Sequence, residues 1–227
     1  MAVLDEFREE REAMKQKSFK ERAKYFWQYH KLQIIVPVVL VLIIVYIIHG
    51  MLTNTEEILN GVFLNCSTVE NEYVNQGLIE DFAEVQGIDT DKYDIHFTTD
   101  VNYEVGDEDQ ASSVNQTANE TLTIYAQAGT LDFVVGSHEV MEDLVNKKYF
   151  VDLTDVLSEE QCEKYESYFI YKETEAGGQV PLLIDMSQSE CMQEVYGNSE
   201  ETLAIGISLN APHPEVIAGF IDYMMEK

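Results

Sequence analysis

From Leu32 to Leu52 the chain reads LQIIVPVVLVLIIVYIIHGML, 21 residues without an Asp, Glu, Lys or Arg. At 1.5 Å of rise per residue, such a run makes about 30 Å of helix, the thickness of a bilayer's hydrocarbon core. A buried core helix is rarely so long and so evenly apolar, so the segment predicts a transmembrane helix. Pro37 falls in its first third, where a membrane helix bends rather than ends. Tyr25, Phe26, Trp27 and Tyr29 precede the run and suit an interfacial aromatic belt.

The flanks predict an orientation. Six cations lie between Lys15 and Lys31, whereas the next after the run is Lys92. Positive charge stays inside, so the N-terminus is expected in the cytoplasm and residues 53–227 outside the cell membrane. A cleaved signal peptide would have a shorter apolar region and a small-residue cleavage site, and neither is present. Asn65-Cys66 lacks the small residues of a lipoprotein box, leaving an uncleaved signal anchor. The expected organisation is a charged juxtamembrane helix over 1–31, the anchor over 32–52, a linker over 53–59 and an extracytoplasmic α/β domain over 60–227.

This division gives the charge its meaning. The whole chain carries 14 Lys+Arg against 42 Asp+Glu, a net of −28. Residues 1–31 hold eight cations and six acids, so the external part is near −30. A nucleic-acid partner is excluded, because too few cations remain to displace counterions from phosphate.

Beyond the linker, periodicity predicts alternating strands and helices. Gly61–Cys66 reads as a buried strand and Tyr93–Thr98 as one of period two. Val74, Leu78, Phe82 and Val85 mark a helix closed by Gly87; Val114, Ala118, Leu122 and Tyr125 mark another, closed near Gly129. Asp100 to Ser113 is acidic and turn-rich, as an exposed loop is. Leu131–Gly136 reads as a strand, with Ser137 capping a helix to about Lys147. Ser158-Glu159-Glu160-Gln161 is a capping box opening a helix toward Tyr168. Val180–Asp185 is a strand, with Ser187 and Glu190 able to cap a short helix. Leu203–Ser208 is the last strand, and Pro214 opens a terminal helix. The expected fold is a three-layer α/β lobe with a mainly parallel sheet.

Two stretches resemble extracellular solute-binding proteins of the type II periplasmic-binding fold. They are Ala128–Gly136, followed by Tyr149–Leu157, and the ending from Leu203 to Met225 with Ser208, Asn210 and Pro214-Glu215. Val180-Pro181-Leu182 is similar to the strand that leaves the first lobe in those proteins. Only about twenty residues separate Leu183 from Leu203, where the family inserts its second lobe. The resemblance therefore implies a reduced, one-lobed, membrane-tethered relative.

Ligands of open α/β sheets sit beyond the carboxyl ends of strands. That rule selects Asn65, Ser67, Thr99, Gly136, Ser137, Asp185, Ser187, Ser208 and Asn210 as candidate ligand-binding residues. Gly136-Ser137 at a helix start can offer N–H groups to an anion, but the expected role of Ser137 is to cap the helix. Asp100-x-Asn102-x-Glu104 begins like a calcium loop but fails at the glycine and at the closing Glu. His96, His138 and His213 are scattered, so no metal site is expected. Cys66, Cys162 and Cys191 allow at most one bridge, and buried thiols are the expected role. The sequons at Asn65, Asn115 and Asn119 matter only in a eukaryotic secretory pathway.

No catalytic or nucleotide-binding fingerprint occurs. The chain is expected to bind rather than catalyse, without a cofactor. Its expected partners are the bilayer through 32–52 and a small solute or peptide, or a membrane protein such as a transporter. The alternative expectation is a scaffold or interaction subunit that takes no ligand.

Overall fold

The computed structural model describes residues 18–53, 55–66, 73–105, 112–173, 178–196 and 202–227. The juxtamembrane residues before Ser18, Ser67 and the middle of the acidic loop lie outside this set. The chain divides into two compact units, Met1–Asn54 and Thr55–Lys227.

The described residues of the first unit form one helix, α1 (Phe19–Thr53), with Pro37 inside it. Among the described residues no helix is long and apolar enough to cross a membrane. The transmembrane helix expected over 32–52 is thus not found. The side chains described there without a break run from 35 to 50, short of the roughly 20 residues a span needs.

The second unit opens with β1 (Glu56–Phe63), which starts inside the stretch read as a linker. Glu56 and Glu57 are drawn into the sheet by parallel pairing with Tyr93 and Asp94. A π-helical turn (Tyr73–Gly77) leads into α2 (Leu78–Gln86), which Gly87 closes at a left-handed φ of 66°. Then come β2 (Tyr93–Thr98), α3 (Ser112–Ala128), β3 (Phe133–Ser137) and α4 (His138–Asn146). After a 3-10 turn, α5 (Glu159–Tyr165) starts at Ser158, whose capping box with Gln161 is complete. The remainder is β4 (Phe169–Glu173), β5 (Gln179–Asp185), α6 (Glu190–Val195), β6 (Leu203–Ile207) and α7 (Pro214–Glu226).

The six strands form one sheet in the order β2-β1-β3-β6-β5-β4. Parallel pairing joins β2 to β1 and β1 to β3; β3–β6, β6–β5 and β5–β4 pair antiparallel, so β5 points the same way as β3. The expected mainly parallel sheet is therefore a mixed one. One cause is β4, which sequence periodicity did not mark and which pairs with β5 across a short connection, too short for a parallel crossover. The other is β6, which lies beside β3 but points the opposite way.

Alternation along the strands builds the two interfaces of a three-layer domain. Leu59, Phe63, Phe97, Phe133, Ile205 and Ile207 pack toward α2, α6 and α7, around an aromatic cluster in which Phe133 stacks on Phe220 at 4.9 Å. Val62, Leu64, Val134, Leu183 and Ala204 pack toward α3 and α4. Gly61 stands opposite Phe133 in the register, and a Cβ there would lie 2.1 Å from the Phe133 ring. The missing side chain is what lets that ring lie across β1.

Candidate functional site

Strand direction divides the expected site. Register pairs Ser137 with Leu203 and Asp185 with Ala204. The carboxyl ends of β1, β2, β3 and β5 therefore share one edge of the sheet, together with the start of β6. Asn65, Thr99, Gly136, Ser137, Asp185 and Ser187 lie along that edge. Ser208 and Asn210 follow the end of antiparallel β6 and sit at the opposite edge. Ser67 lies outside the described residues.

At the shared edge most of these groups are already engaged. Asn65, at a positive φ of 57°, uses both ends of its amide on Tyr103: Nδ2 donates to the carbonyl and Oδ1 accepts from N–H, each at 2.7 Å. Asp185 accepts from Ser187 N–H at 2.9 Å, and Ser187 Oγ accepts from Leu203 N–H at 3.2 Å. Ser137 precedes α4 without a side-chain capping bond, and the first helical N–H, that of His138, goes to the Thr202 carbonyl at 2.8 Å. Gly136 faces Leu64 and Met141. The chain order reverses between β1 and β3, the place where open sheets form a binding crevice. There the Tyr196 hydroxyl lies 3.0 Å from the Leu64 carbonyl and 3.3 Å from that of Val135, bridging both strand ends.

The opposite edge is organised by Asp132, which is fully buried. Its carboxylate accepts from Asn60 N–H at 2.8 Å and His213 N–H at 3.0 Å, and meets His213 Nδ1 at 3.1 Å. Its carbonyl accepts from Ser208 N–H at 2.9 Å. These bonds tie the start of β3 to β1, to the loop after β6 and to the first turn of α7. Ser208 Oγ is buried without a hydrogen-bond partner, so Ser208, His213 and Asp132 are neighbours but not a relay.

An open cavity of about 420 Å³ lies instead at the outer edge of the sheet, between the end of β2 and α3. Thr98, Asp100, Val101 and Asn102 form one wall; Val114, Thr117, Ala118, Thr121 and Tyr125 form the other. Local structure explains both walls. Ile95 and Phe97 point to the α2 side, so Thr98 on the alternate register faces α3. On α3 the lining residues recur every three or four positions, one stripe of a helix. The extended segment after β2 is pinned twice. Asn65 holds Tyr103, and Asn115 on α3 holds Glu104 with Oδ1 accepting from N–H at 2.8 Å and Nδ2 donating to the carbonyl at 2.6 Å. Thr98 is 9% exposed, and its hydroxyl is buried without a hydrogen-bond partner.

Sequence reasoning marked the end of β2, with Thr99 as its candidate, but did not join that end to Asn102, Thr117, Thr121 and Tyr125; Thr99 itself is not among the lining residues. The usable signal was the polar pair Thr117 and Thr121, one turn apart and adjacent to the buried Ala118–Leu122 stripe.

Below the cavity, Tyr103 donates to Asp143 and receives from Lys147, and Lys147 pairs with Asp143 at 3.0 Å. Burial pushes the Asp143 carboxyl up, but donation from Tyr103 and Lys147 outweighs it and holds it below the usual range. Burial, helped by the Asp143 bond, raises the Tyr103 hydroxyl. Among the described residues no group of three or more His, Cys, Asp or Glu is placed to hold a metal. None of the three cysteines forms a disulfide; Cys66 and Cys191 are buried, and burial together with nearby Asp152 and Glu159 raises the Cys162 thiol.

Comparison with protein-family models, curated proteins and solved structures finds no match to this chain.

Proposed function

We propose that this chain is a single-pass membrane protein that displays its acidic α/β unit outside the cell and acts by binding. The binding site in this reading is the cavity between β2 and α3, and its lining, one exposed carboxylate among hydroxyl, amide and aromatic groups, is the observation that carries the assignment. Membrane attachment is supported by the 21-residue uncharged run and the cations that precede it. It is supported too by α1, where consecutive side chains such as Val41 (58%), Leu42 (62%) and Ile43 (50%) are exposed all around the helix. Water disfavours a helix that is apolar on every side. The one-lobed kinship to solute-binding proteins rests on the segments Ala128–Gly136 and Leu203–Met225.

Two measurements test this. In membranes from cells expressing the full chain, the protein should stay in the pellet after alkaline extraction, and protease added outside intact cells should remove the 53–227 part. Release into the wash would reject the anchor. For binding, Thr121→Met fills the cavity; a solute that raises the melting temperature of the wild type should have no effect on that variant.

The Tyr196 bridge favours a second reading. Because it occupies the crevice where open sheets usually receive ligands, the domain would then serve as an interaction subunit for a membrane protein such as a transporter. Wild-type melting unmoved across a broad solute screen, with a membrane protein co-purifying in defined amount, would support it.

A further inference from the structure

We propose that the cavity between β2 and α3 takes a small organic cation, a short aliphatic chain ending in a primary ammonium, with Asp100 as its counter-ion. This rests on reading the cavity as the binding site and adds the chemical class of what enters it.

The walls offer acceptors and neutral groups. Asp100 is exposed and Thr98 is buried, so the carboxylate stands nearer solvent than the β2 wall. Among the described residues no cation pairs with Asp100, and no Lys, Arg or His lines the cavity. Val114 supplies apolar surface for a short chain, Thr121 a hydroxyl, and Tyr125 an aromatic ring of the kind that attracts ammonium groups.

Charge beyond the cavity points the same way. Residues 53–227 contain six lysines and no arginine, against 36 acids. Lys92, Lys147, Lys164, Lys172 and Lys227 are each paired to carboxylates of their own, on Asp89, Asp143, Glu226, Glu142 and Asp81. An anion would enter a strongly negative field and find no counter-charge, whereas a cation is concentrated by that field before contact. A metal ion is the weaker fit, because one carboxylate cannot assemble the six or more oxygens a hard cation such as Ca²⁺ takes.

The test uses three probes with one four-carbon body: butane-1,4-diamine, butane-1,4-diol and succinate. Each is titrated calorimetrically into the full chain in detergent micelles. The diamine should bind at least tenfold more tightly than the diol, and succinate should give no heat of binding. Asp100→Asn should weaken the diamine at least tenfold while leaving the melting temperature of the unliganded protein unchanged, and Thr121→Met should abolish binding. Diol and diamine binding equally, both lost in Thr121→Met, would overturn the cationic class but leave the cavity as a site. Diamine binding that survives both substitutions would overturn the proposal as diffuse attraction to an acidic surface. No binding by any probe would overturn it as well.

Discussion

The Tyr196 hydroxyl sits 3.0 Å from the carbonyl oxygen of Leu64, 132 residues earlier in the chain, at the end of the central parallel strand β1. With Val135 within 3.3 Å of the same hydroxyl, one phenol from the end of α6 spans the place where β1 and β3 part. The Val135 carbonyl already accepts from Leu64 N–H at 2.8 Å, so the hydroxyl's main gain is to satisfy the carbonyl of Leu64. Tyr196→Phe keeps the ring and removes the donor. It should cost about 1 kcal/mol of unfolding free energy, read from the urea midpoint with an unchanged slope.

The Asp132 carboxylate is surrounded by donors, and no neutral side chain of its size serves them all. In Asp132→Asn the new amide N–H groups would face the N–H of Asn60 or of His213. Equilibrium unfolding should therefore show a loss of about 3 kcal/mol. His213→Ala, which leaves both backbone donors in place, should cost clearly less, about 1 kcal/mol.

Gly61 is fixed by the ring above it. Gly61→Ala places a methyl group inside the van der Waals shell of Phe133, whose ring is also stacked on Phe220. The expected loss is about 1–3 kcal/mol. Phe133→Leu made in the Gly61→Ala background should recover part of it, and a double-mutant cycle would expose that coupling.

Tyr165 donates to Asp222 at 2.6 Å, and burial first, then that bond, pushes its hydroxyl up to about 12. A group whose folded pKa lies above its unfolded value stabilises the fold below the unfolded value and loses that contribution as pH rises through the folded one. Stability from this contact should therefore be intact below about pH 10 and decline toward pH 12. The difference at 295 nm between wild type and Tyr165→Phe should titrate with a midpoint near 12, and Asp222→Asn should bring it down. At the acid end the sign reverses. Asp143 and Glu142 are both held low, Glu142 chiefly by the Lys172 bond, so their contribution is present above the ordinary carboxylate range and disappears as pH falls through their folded values.

Features written in a few adjacent residues were readable from the sequence. Gly87 and Gly129 both take the left-handed conformation that ends a helix, and Ser158 with Gln161 forms the expected reciprocal cap. The bounds of β2 came directly from the alternation of Tyr93 to Thr98. Strand direction was not readable, because Leu203–Ile207 has the same apolar pattern whichever way it runs beside β3. That one unknown scattered the candidate residues, sending Ser208 and Asn210 to the far edge. The capping serine of α6 proved to be Ser189, two places on from Ser187, because Ser187 is spent on Leu203. Tyr196 acquires its meaning from partners far away in the chain, and no local spacing announces such partners.

The order β2-β1-β3 carries one more consequence, and it is mechanical. Two residues separate the last turn of α1 from Glu56, so the N-terminal helix is spliced almost directly onto β1. That strand is gripped on both flanks, by β2 from Glu56 to Val62 and by β3 from Gly61 to Phe63. A pull along β1 loads its ladder bonds in shear, all at once, instead of peeling them one by one from an edge. If α1 is held fast, tension therefore enters the domain through the strand least able to slip.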